Sequence, residues 1–184
     1  MDDRIFDPKV FDCLINQSPN QLNIRGISAS GMTPFVAEAL RAASRLHART
    51  VLITCHPRAA IPAQIRITLN VGPEVLTGST RLKAGTATKL VLNMLTLGAM
   101  VQLGKTHGNL MVDVRPTSRK LRARALRIIQ SLTRCSARDA TRSLRAARGR
   151  VKVAVLIAAK SLTSSAALRR LAQSDGSLHR ALEH

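Results

Sequence analysis

VGPEVLTGSTRLKAGTATK, residues Val71 to Lys89, is the stretch from which the fold of this chain can be worked out. A predicted strand ends just before it, the chain turns at Gly72-Pro73, Glu74 supplies a carboxylate, and an apolar helix follows. Five hydroxyls and three cations lie within it: Thr77, Ser79, Thr80, Thr86, Thr88, Arg81, Lys83 and Lys89. Helix N-termini attract anions because their first backbone N–H groups lack partners and the helix dipole is positive there. The stretch therefore predicts an anion site; an ordinary helix cap with solvated polar residues is the alternative.

The composition permits a packed core but restricts what can fill it. Of the 184 residues 45% are apolar, yet there are only three Phe and neither Trp nor Tyr. The length fits one domain, or one domain with a small appendage. We predict a poorly patterned segment over 1–20, an α/β domain over 21–114 and a helical C-terminal module over 115–184.

The formal charge of +19 is concentrated in one region. From Arg115 to Arg150 there are twelve Lys and Arg residues against one acid, Asp139. Five of these arginines recur at helical spacing and would line one face: Arg134, Arg138, Arg142, Arg145 and Arg148. Such a stripe could bind nucleic acid or an anionic surface. Because no aromatic residues are interleaved for base stacking, a solvated face is favoured and nucleic acid is not the expected partner.

Cysteine and histidine spacing gives no metal site and no cofactor motif. Cys13, Cys55 and Cys135 lie far apart, and the five histidines are scattered. Reduced thiols in a cytoplasmic protein are the expected state. No signal peptide is expected at the start of the sequence. The apolar run from Leu90 to Leu103 is shorter than the roughly 20 residues of a membrane span, so it predicts a buried core helix and no membrane.

Alternating strand and helix patterns precede the central stretch. We predict strands over Gln21–Ile27, Thr50–Cys55 and Ile65–Leu69, and a helix over Phe35–His47, because their apolar residues follow the strand and helix periods. This order favours a parallel sheet, whose ligands bind at the carboxyl ends of the strands. The hydroxyl-rich segments Ser28–Thr33 and Glu74–Thr80 both follow strands, so we expect them at one edge.

The remainder of the chain is predicted to be helical. The helix over Leu82–Leu103 is apolar around most of its circumference, so we expect burial on all sides, by its own sheet and by a second subunit. A buried connection over Lys105–Val114 then leads into short helices over Arg119–Leu132, Ser136–Ala147, Val151–Ala159 and Ser164–Ala172.

The central segment resembles the signature that bacterial N-acetylmuramic acid 6-phosphate etherases share with the glucokinase regulatory protein. The matching residues are Gly72-Pro73-Glu74, Gly78-Ser79-Thr80-Arg81-Leu82-Lys83, Ala84-Gly85-Thr86 and Lys89. The continuation through Asn109-Leu110-Met111-Val112-Asp113, and Ser30-Gly31-Met32-Thr33-Pro34 upstream, resemble the etherase branch. The resemblance extends from about Gln21 to Leu182 and is to the C-terminal part of an etherase.

This resemblance implies a sugar isomerase domain with a parallel, flavodoxin-like sheet that binds a phosphorylated amino sugar, as a homodimer. It implies cleavage of the D-lactyl ether of N-acetylmuramic acid 6-phosphate to N-acetylglucosamine 6-phosphate and D-lactate, by elimination and water addition, without a metal. Ser30 and Thr33 match the family's second phosphate-contacting loop, and Ser28 adds a hydroxyl there. The signature residues expected near the sugar are Glu74, Thr77, Ser79, Thr80, Arg81 and Lys83.

The family's principal catalytic glutamates are not matched in this sequence. Glu74 matches a family acid near the sugar, which makes it the one weak catalytic candidate. A non-catalytic phosphosugar-binding or regulatory module, like the regulatory relative, is therefore the alternative to an etherase.

Overall fold

The computed structural model describes residues 23–183, so the predicted segment 1–20 lies outside the described part. The chain divides into two compact units, of which the first ends at Gly98 and the second begins at Ala99. The sequence-based boundary between residues 114 and 115 stays a prediction.

The first unit contains a three-stranded parallel sheet. Its strands are β1 (Asn23–Ile27), β2 (Arg49–Thr54) and β3 (Ile65–Thr68), in the spatial order β1-β2-β3. Ile24 pairs with Thr50, and Leu52 pairs with Arg66. The predicted α/β class with a parallel sheet is confirmed, and the limits of β2 and β3 differ from the predicted ones by at most one residue; the predicted start of the first strand, Gln21, lies outside the described residues.

Two helices cover opposite faces of this sheet because β2 is apolar on both sides. Leu52 packs with Leu40 of helix α1 (Pro34–Arg45) in one core. Val51 and Ile53 point to the other face and pack with residues of helix α2 (Lys83–Gln102). A continuous apolar run is typical of a strand that is buried on both faces. The layers therefore place the starts of both helices beyond the carboxyl ends of the strands.

Within the described residues of the single chain, helix α2 is buried along one face, by its own sheet as expected, and burial of its other sides by a second subunit stays a prediction. Val91 and Leu95 pack on the sheet, whereas Leu90, Met94 and Leu97 are 52%, 37% and 59% exposed. Among the described single helices, α2 alone is long and apolar enough to span a membrane by length and composition, and one bent helix pair, 151–160 with 164–173, also passes that test. In the structure, α2 packs on the sheet through Val91 and Leu95, as a helix that covers one face of a sheet does.

After the end of α2, the second unit contains a short antiparallel hairpin of β4 (Thr106–His107) and β5 (Leu110–Met111), where the sequence predicted a buried connection. Five helices follow: α3 (Arg119–Thr133), α4 (Ala137–Ala146), α5 (Val151–Lys160), α6 (Ser164–Gln173) and α7 (Leu178–Glu183). Helix α5 supplies the centre of their core, with Val153, Ala154, Val155 and Leu156 almost fully buried. The sequence did not predict α7.

Helix starts in the second unit are fixed by hydroxyl caps. The backbone N–H groups of Leu121, Asp139 and Ala166 donate to the hydroxyls of Ser118, Ser136 and Thr163, at 3.2, 3.1 and 3.3 Å. Each bond satisfies a donor that the first turn of a helix leaves unpaired. These caps explain why α3, α4 and α6 begin within one residue of their predicted starts.

Candidate functional site

The carboxyl ends of all three parallel strands meet at one edge of the sheet. Neighbouring strands lie about 4.8 Å apart, so the ends of β1 and β3 are separated by about 10 Å. Ser28 follows β1, Cys55 follows β2, and the chain after β3 runs through Glu74 into α2. The edge thus collects both hydroxyl-rich segments that the sequence placed there.

The loop after β1 is held by hydrogen bonds around Ser28. The Ser28 hydroxyl lies 2.8 Å from the Thr33 hydroxyl and accepts the Thr33 backbone N–H at 3.4 Å. Ser28 is 3% exposed, while Ser30 and Thr33 are exposed. The exposed hydroxyls of Ser30 and Thr33 are therefore within reach of a ligand, and the buried Ser28 hydroxyl fixes the position of Thr33.

Gly31 allows this loop to close against the chain after β2. Its φ of +68° is in the left-handed region, and a Cβ atom there would lie 2.3 Å from the Cβ atom of Ala59. Glycine avoids both the steric cost of that φ and the clash. The loop conformation is thus determined by the sequence at this position.

Helix α1 starts directly after the loop without a side-chain cap. Thr33 is its N-cap residue but makes no capping hydrogen bond with its side chain, and Pro34 occupies the first turn. The first intrahelical bond of this end runs from the Ala37 N–H to the Thr33 carbonyl. The N–H groups of Phe35 and Val36 therefore lie outside the intrahelical ladder, at the positive end of the helix dipole. This end of α1 suits an anion.

The start of α2 is different because Glu74 occupies it. The carboxylate of Glu74 accepts the backbone N–H of Lys83 at 3.0 Å and that of Ala84 at 2.9 Å. These two bonds, and to a smaller extent the nearby Lys83 ammonium, hold the pKa of Glu74 below its ordinary value of 4.5. Glu74 is consequently ionised at neutral pH, and both its oxygens already have donors.

The predicted signature residues lie on the loop that leads into α2, except Lys83, which is the first residue of that helix. Thr77, Thr80, Arg81 and Lys83 are exposed, and Ser79 is half-buried. The loop contains a turn in which the Ser79 N–H donates to the Leu76 carbonyl at 3.0 Å. These side chains face solvent beside the Glu74 cap and could take part in binding a ligand at this edge.

Cys55 joins the two loops, a role that the sequence gave no reason to assign. Its backbone N–H donates to the Ala29 carbonyl at 3.1 Å, and its sulfur lies 3.9 Å from the Ala84 carbonyl in the first turn of α2. Burial raises the pKa of the Cys55 thiol. A hydrogen bond with Thr88 lowers this pKa in part, and the negative charge of Glu74 raises it further. The thiol is therefore protonated at neutral pH and serves as a packing group.

Three further polar side chains after or at the end of β2 were not singled out from the sequence. The Thr54 hydroxyl accepts the His56 N–H at 3.2 Å, and the His56 Nδ1 atom accepts the Arg58 N–H at 3.2 Å. His56 and Arg58 are exposed. The sequence could have indicated these residues through their position directly after a buried strand, because ligands of parallel sheets bind at the carboxyl ends of the strands.

Acids are scarce in the described part of the first unit. Between residues 23 and 98 they are Glu38 and Glu74, and Glu38 is ion-paired with Arg41 on α1. No group of three His, Cys, Asp or Glu residues within 23–183 could hold a metal ion. The described geometry is thus equipped to bind an anion and offers one carboxylate at the edge.

Comparison with known proteins gives a consistent set of relatives. The chain is 51% identical over 160 residues to the N-acetylmuramic acid 6-phosphate etherase 2 of Vibrio cholerae. The matched region covers 86% of this chain and 52% of that protein. It is 48% identical over 153 residues to the etherase of Cutibacterium acnes, covering 82% and 50%. It is 47% identical over 170 residues to the etherase of Erwinia tasmaniensis, and that match covers 91% of this chain and 55% of the relative.

The resemblance predicted from the sequence is thereby confirmed: this chain is similar to N-acetylmuramic acid 6-phosphate etherases over most of its length. The chain spans about half the length of the curated relatives it matches. No protein-family model matches it.

Proposed function

We propose that this chain binds N-acetylmuramic acid 6-phosphate and takes part in the cleavage of its D-lactyl ether. The observation that carries the proposal is the start of helix α1, which lacks a side-chain cap and lies beside the exposed hydroxyls of Ser30 and Thr33. Similarity to proteins named for this substrate supports the choice of ligand.

The phosphate group is assigned to the loop after β1. A phosphate dianion accepts hydrogen bonds from hydroxyls and backbone N–H groups and is favoured at a helix N-terminus. The N–H groups of Phe35 and Val36 and the hydroxyls of Ser30 and Thr33 provide such donors. The start of α2 is less suitable for the phosphate because the Glu74 carboxylate fills it and repels a second anion.

The sugar is assigned to the part of the edge between the two loops. In the etherase reaction a base removes a proton next to the ether carbon, the C–O bond to lactate breaks, and an acid protonates the leaving oxygen; water then adds to the double bond. A carboxylate with a lowered pKa is a weak base and is not protonated at neutral pH, so Glu74 suits binding and orientation better than proton donation.

A non-catalytic phosphosugar-binding module is the second candidate function. It is favoured by the geometry of Glu74, whose two oxygens are both bonded to backbone N–H groups. Within the described first unit, the remaining acid is Glu38, which pairs with Arg41. A binding module needs the α1 site but no acid and base pair.

The exposed face of α2 supports a homodimer as the assembly. Leu90, Met94 and Leu97 are spaced four and three residues apart, so they lie on one side of the helix and remain exposed. A second copy could cover this apolar stripe, defined by those three residues. We place the protein in the cytoplasm, where the free thiols Cys55 and Cys135 would stay reduced.

Release of D-lactate separates the two functions. The chain is incubated with N-acetylmuramic acid 6-phosphate, D-lactate is assayed, and the Tm is measured with and without the sugar. D-lactate release supports the ether-cleaving function. A rise in Tm without D-lactate supports the binding module, because a ligand that binds the folded state raises the Tm. If the sugar gives no D-lactate and no rise in Tm, both functions are refuted.

A further inference from the structure

The second unit carries a large excess of positive charge. Residues 99–183 contain eighteen Lys and Arg residues against four Asp and Glu residues. Twelve of the cations fall between Arg115 and Arg150, and all twelve are exposed. We call these exposed side chains the basic surface.

Few of these charges are neutralised by neighbouring acids. In the described part of the chain, Arg142 is the member of the basic surface that pairs with a carboxylate, that of Asp139 at 2.6 Å. Ion pairs elsewhere in the second unit, such as that between Lys105 and Asp113, use other cations. The basic surface therefore presents a concentrated positive potential to solvent.

Helix α4 arranges part of this charge in a row. At 3.6 residues per turn, Arg138, Arg142 and Arg145 fall within about 60° of the helix circumference and follow one another at about 5 Å along its axis. The opposite side, with Ala140 and Leu144, is buried in the core of the unit. Phosphates of one DNA strand repeat about every 3.4 Å along the duplex axis, so a row of this length spans several of them.

The chemistry of the surface distinguishes between polyanions. From Arg115 to Glu183 the large apolar side chain exposed in the structure is Leu168, at 37%. Interfacial membrane binding needs a broad apolar face beside the charges, which this part of the described chain lacks. The segment 99–183 contains no Phe, Trp or Tyr for base stacking. Phosphate contacts need neither feature.

We propose that the second unit binds double-stranded nucleic acid through its phosphates, without sequence preference, by the basic surface. The sequence disfavoured nucleic acid because aromatic residues are absent, but that argument applies to stacked single strands. The structure adds that the cations are exposed and that, among the described residues, they are largely free of acidic partners. The proposal is independent of the phosphosugar site, which uses residues of the first unit.

The test is titration of a fluorescent DNA duplex of arbitrary sequence with the whole chain, followed by anisotropy between about 50 and 200 mM salt. The double variant Arg138→Gln/Arg145→Gln removes two charges of the basic surface that have no acidic partner among the described residues. Its matched control, Arg41→Gln/Arg45→Gln, removes two exposed charges from helix α1 of the first unit. Phosphatidylserine–phosphatidylcholine vesicles provide the membrane arm.

We expect the affinity for DNA to fall steeply with salt and the slope to decrease in magnitude by about 2 in the Arg138/Arg145 variant, since each phosphate contact contributes about 0.9. The slope of the control variant should be unchanged. Three results would overturn the proposal: no binding of duplex at low salt, equal losses in both variants, or tighter binding to the vesicles than to DNA.

Discussion

The carboxylate of Glu74 caps helix α2 by accepting the backbone N–H of Ala84 at 2.9 Å. Its second oxygen accepts the N–H of Lys83 at 3.0 Å. Among the described residues Glu74 is the one acid at this edge of the sheet, and it holds the loop after β3 against the start of α2. Because α1 has no such cap, the two helix ends at this edge differ in capping, and the proposed anion site is therefore the start of α1.

Replacing Glu74 should make stability less dependent on pH. The pKa of Glu74 is lower in the folded chain than its ordinary value of 4.5. Glu74 therefore stabilises the folded state fully above pH 4.5, and this stabilisation is lost as the pH falls through the lower pKa of the folded state. The wild type should exceed Glu74→Gln in Tm at neutral pH, and the difference should shrink on acidification. Thermal melts across this range measure it, with Glu38→Gln as control. A difference that stays constant below pH 4.5 would show that the carboxylate does not cap the folded chain.

Gly31→Ala should damage the loop after β1 more than Gly78→Ala damages the loop after β3. Both glycines have a positive φ, so both substitutions cost about 1 kcal/mol in backbone strain. A Cβ at Gly31 would also lie 2.3 Å from the Cβ of Ala59, whereas nothing lies within 4 Å of one at Gly78. Urea unfolding should give a loss for Gly31→Ala larger than that for Gly78→Ala by about 1–3 kcal/mol. Equal losses would mean that the loop is not packed against Ala59.

Cys55 should react slowly with alkylating reagents. Burial raises the pKa of its thiol above the ordinary value of 9.0, and the thiolate is the reactive form. We expect mass spectrometry of iodoacetamide-treated protein to show that the rate at Cys55 is still rising at pH 9.0. Urea-unfolded protein provides the control, in which the same peptide should label with an ordinary thiol profile. A rate in the folded chain that is half-maximal at or below pH 9.0 would contradict the effect of partial burial on this thiol.

The apolar stripe on α2 should hold two copies of the chain together. Leu97 is 59% exposed and lies on the side of the helix away from Val91 and Leu95, so Leu97→Arg should place a charge within the dimer without disturbing the sheet face. Light scattering after size-exclusion chromatography should give a dimer mass for the wild type and a monomer mass for the variant. Thr96→Arg, at an exposed position about 100° around the helix from Leu97, is the control and should remain dimeric. A monomeric wild type would rule out this assembly.

The fold of the first unit was predictable because its apolar residues repeat clearly at the spacings of strands and helices. The β-branched run from Thr50 and the helical spacing after Pro34 led directly to a parallel sheet with α1 on one face. The hairpin at Thr106–Met111 was missed because strands of two residues are too short to show alternation. The exposed side of α2 could not be predicted either, since a helix that is apolar all round does not indicate which side its own sheet covers.

The placing of the candidate site residues at one edge of the sheet could be predicted from the sequence, but their contacts with one another could not. The rule that ligands bind at the carboxyl ends of parallel strands placed Ser30, Thr33 and Glu74 at one edge. The capping bond of Glu74 spans nine residues, and local capping patterns extend over only three. The role of Cys55 depends on Ala29 and Ala84, which are distant in sequence, so a single cysteine in a strand gave no indication of it.

The most direct test of the account is calorimetric titration of N-acetylmuramic acid 6-phosphate into the wild type and Thr33→Ala. We predict saturable binding that weakens by about tenfold or more in Thr33→Ala, since a lost hydrogen bond to a charged group is worth about 1.5–3 kcal/mol. The exposed Ser131→Ala in the second unit should bind like the wild type. Absence of binding to the wild type, or equal affinity in Thr33→Ala, would contradict a phosphosugar site at the start of α1.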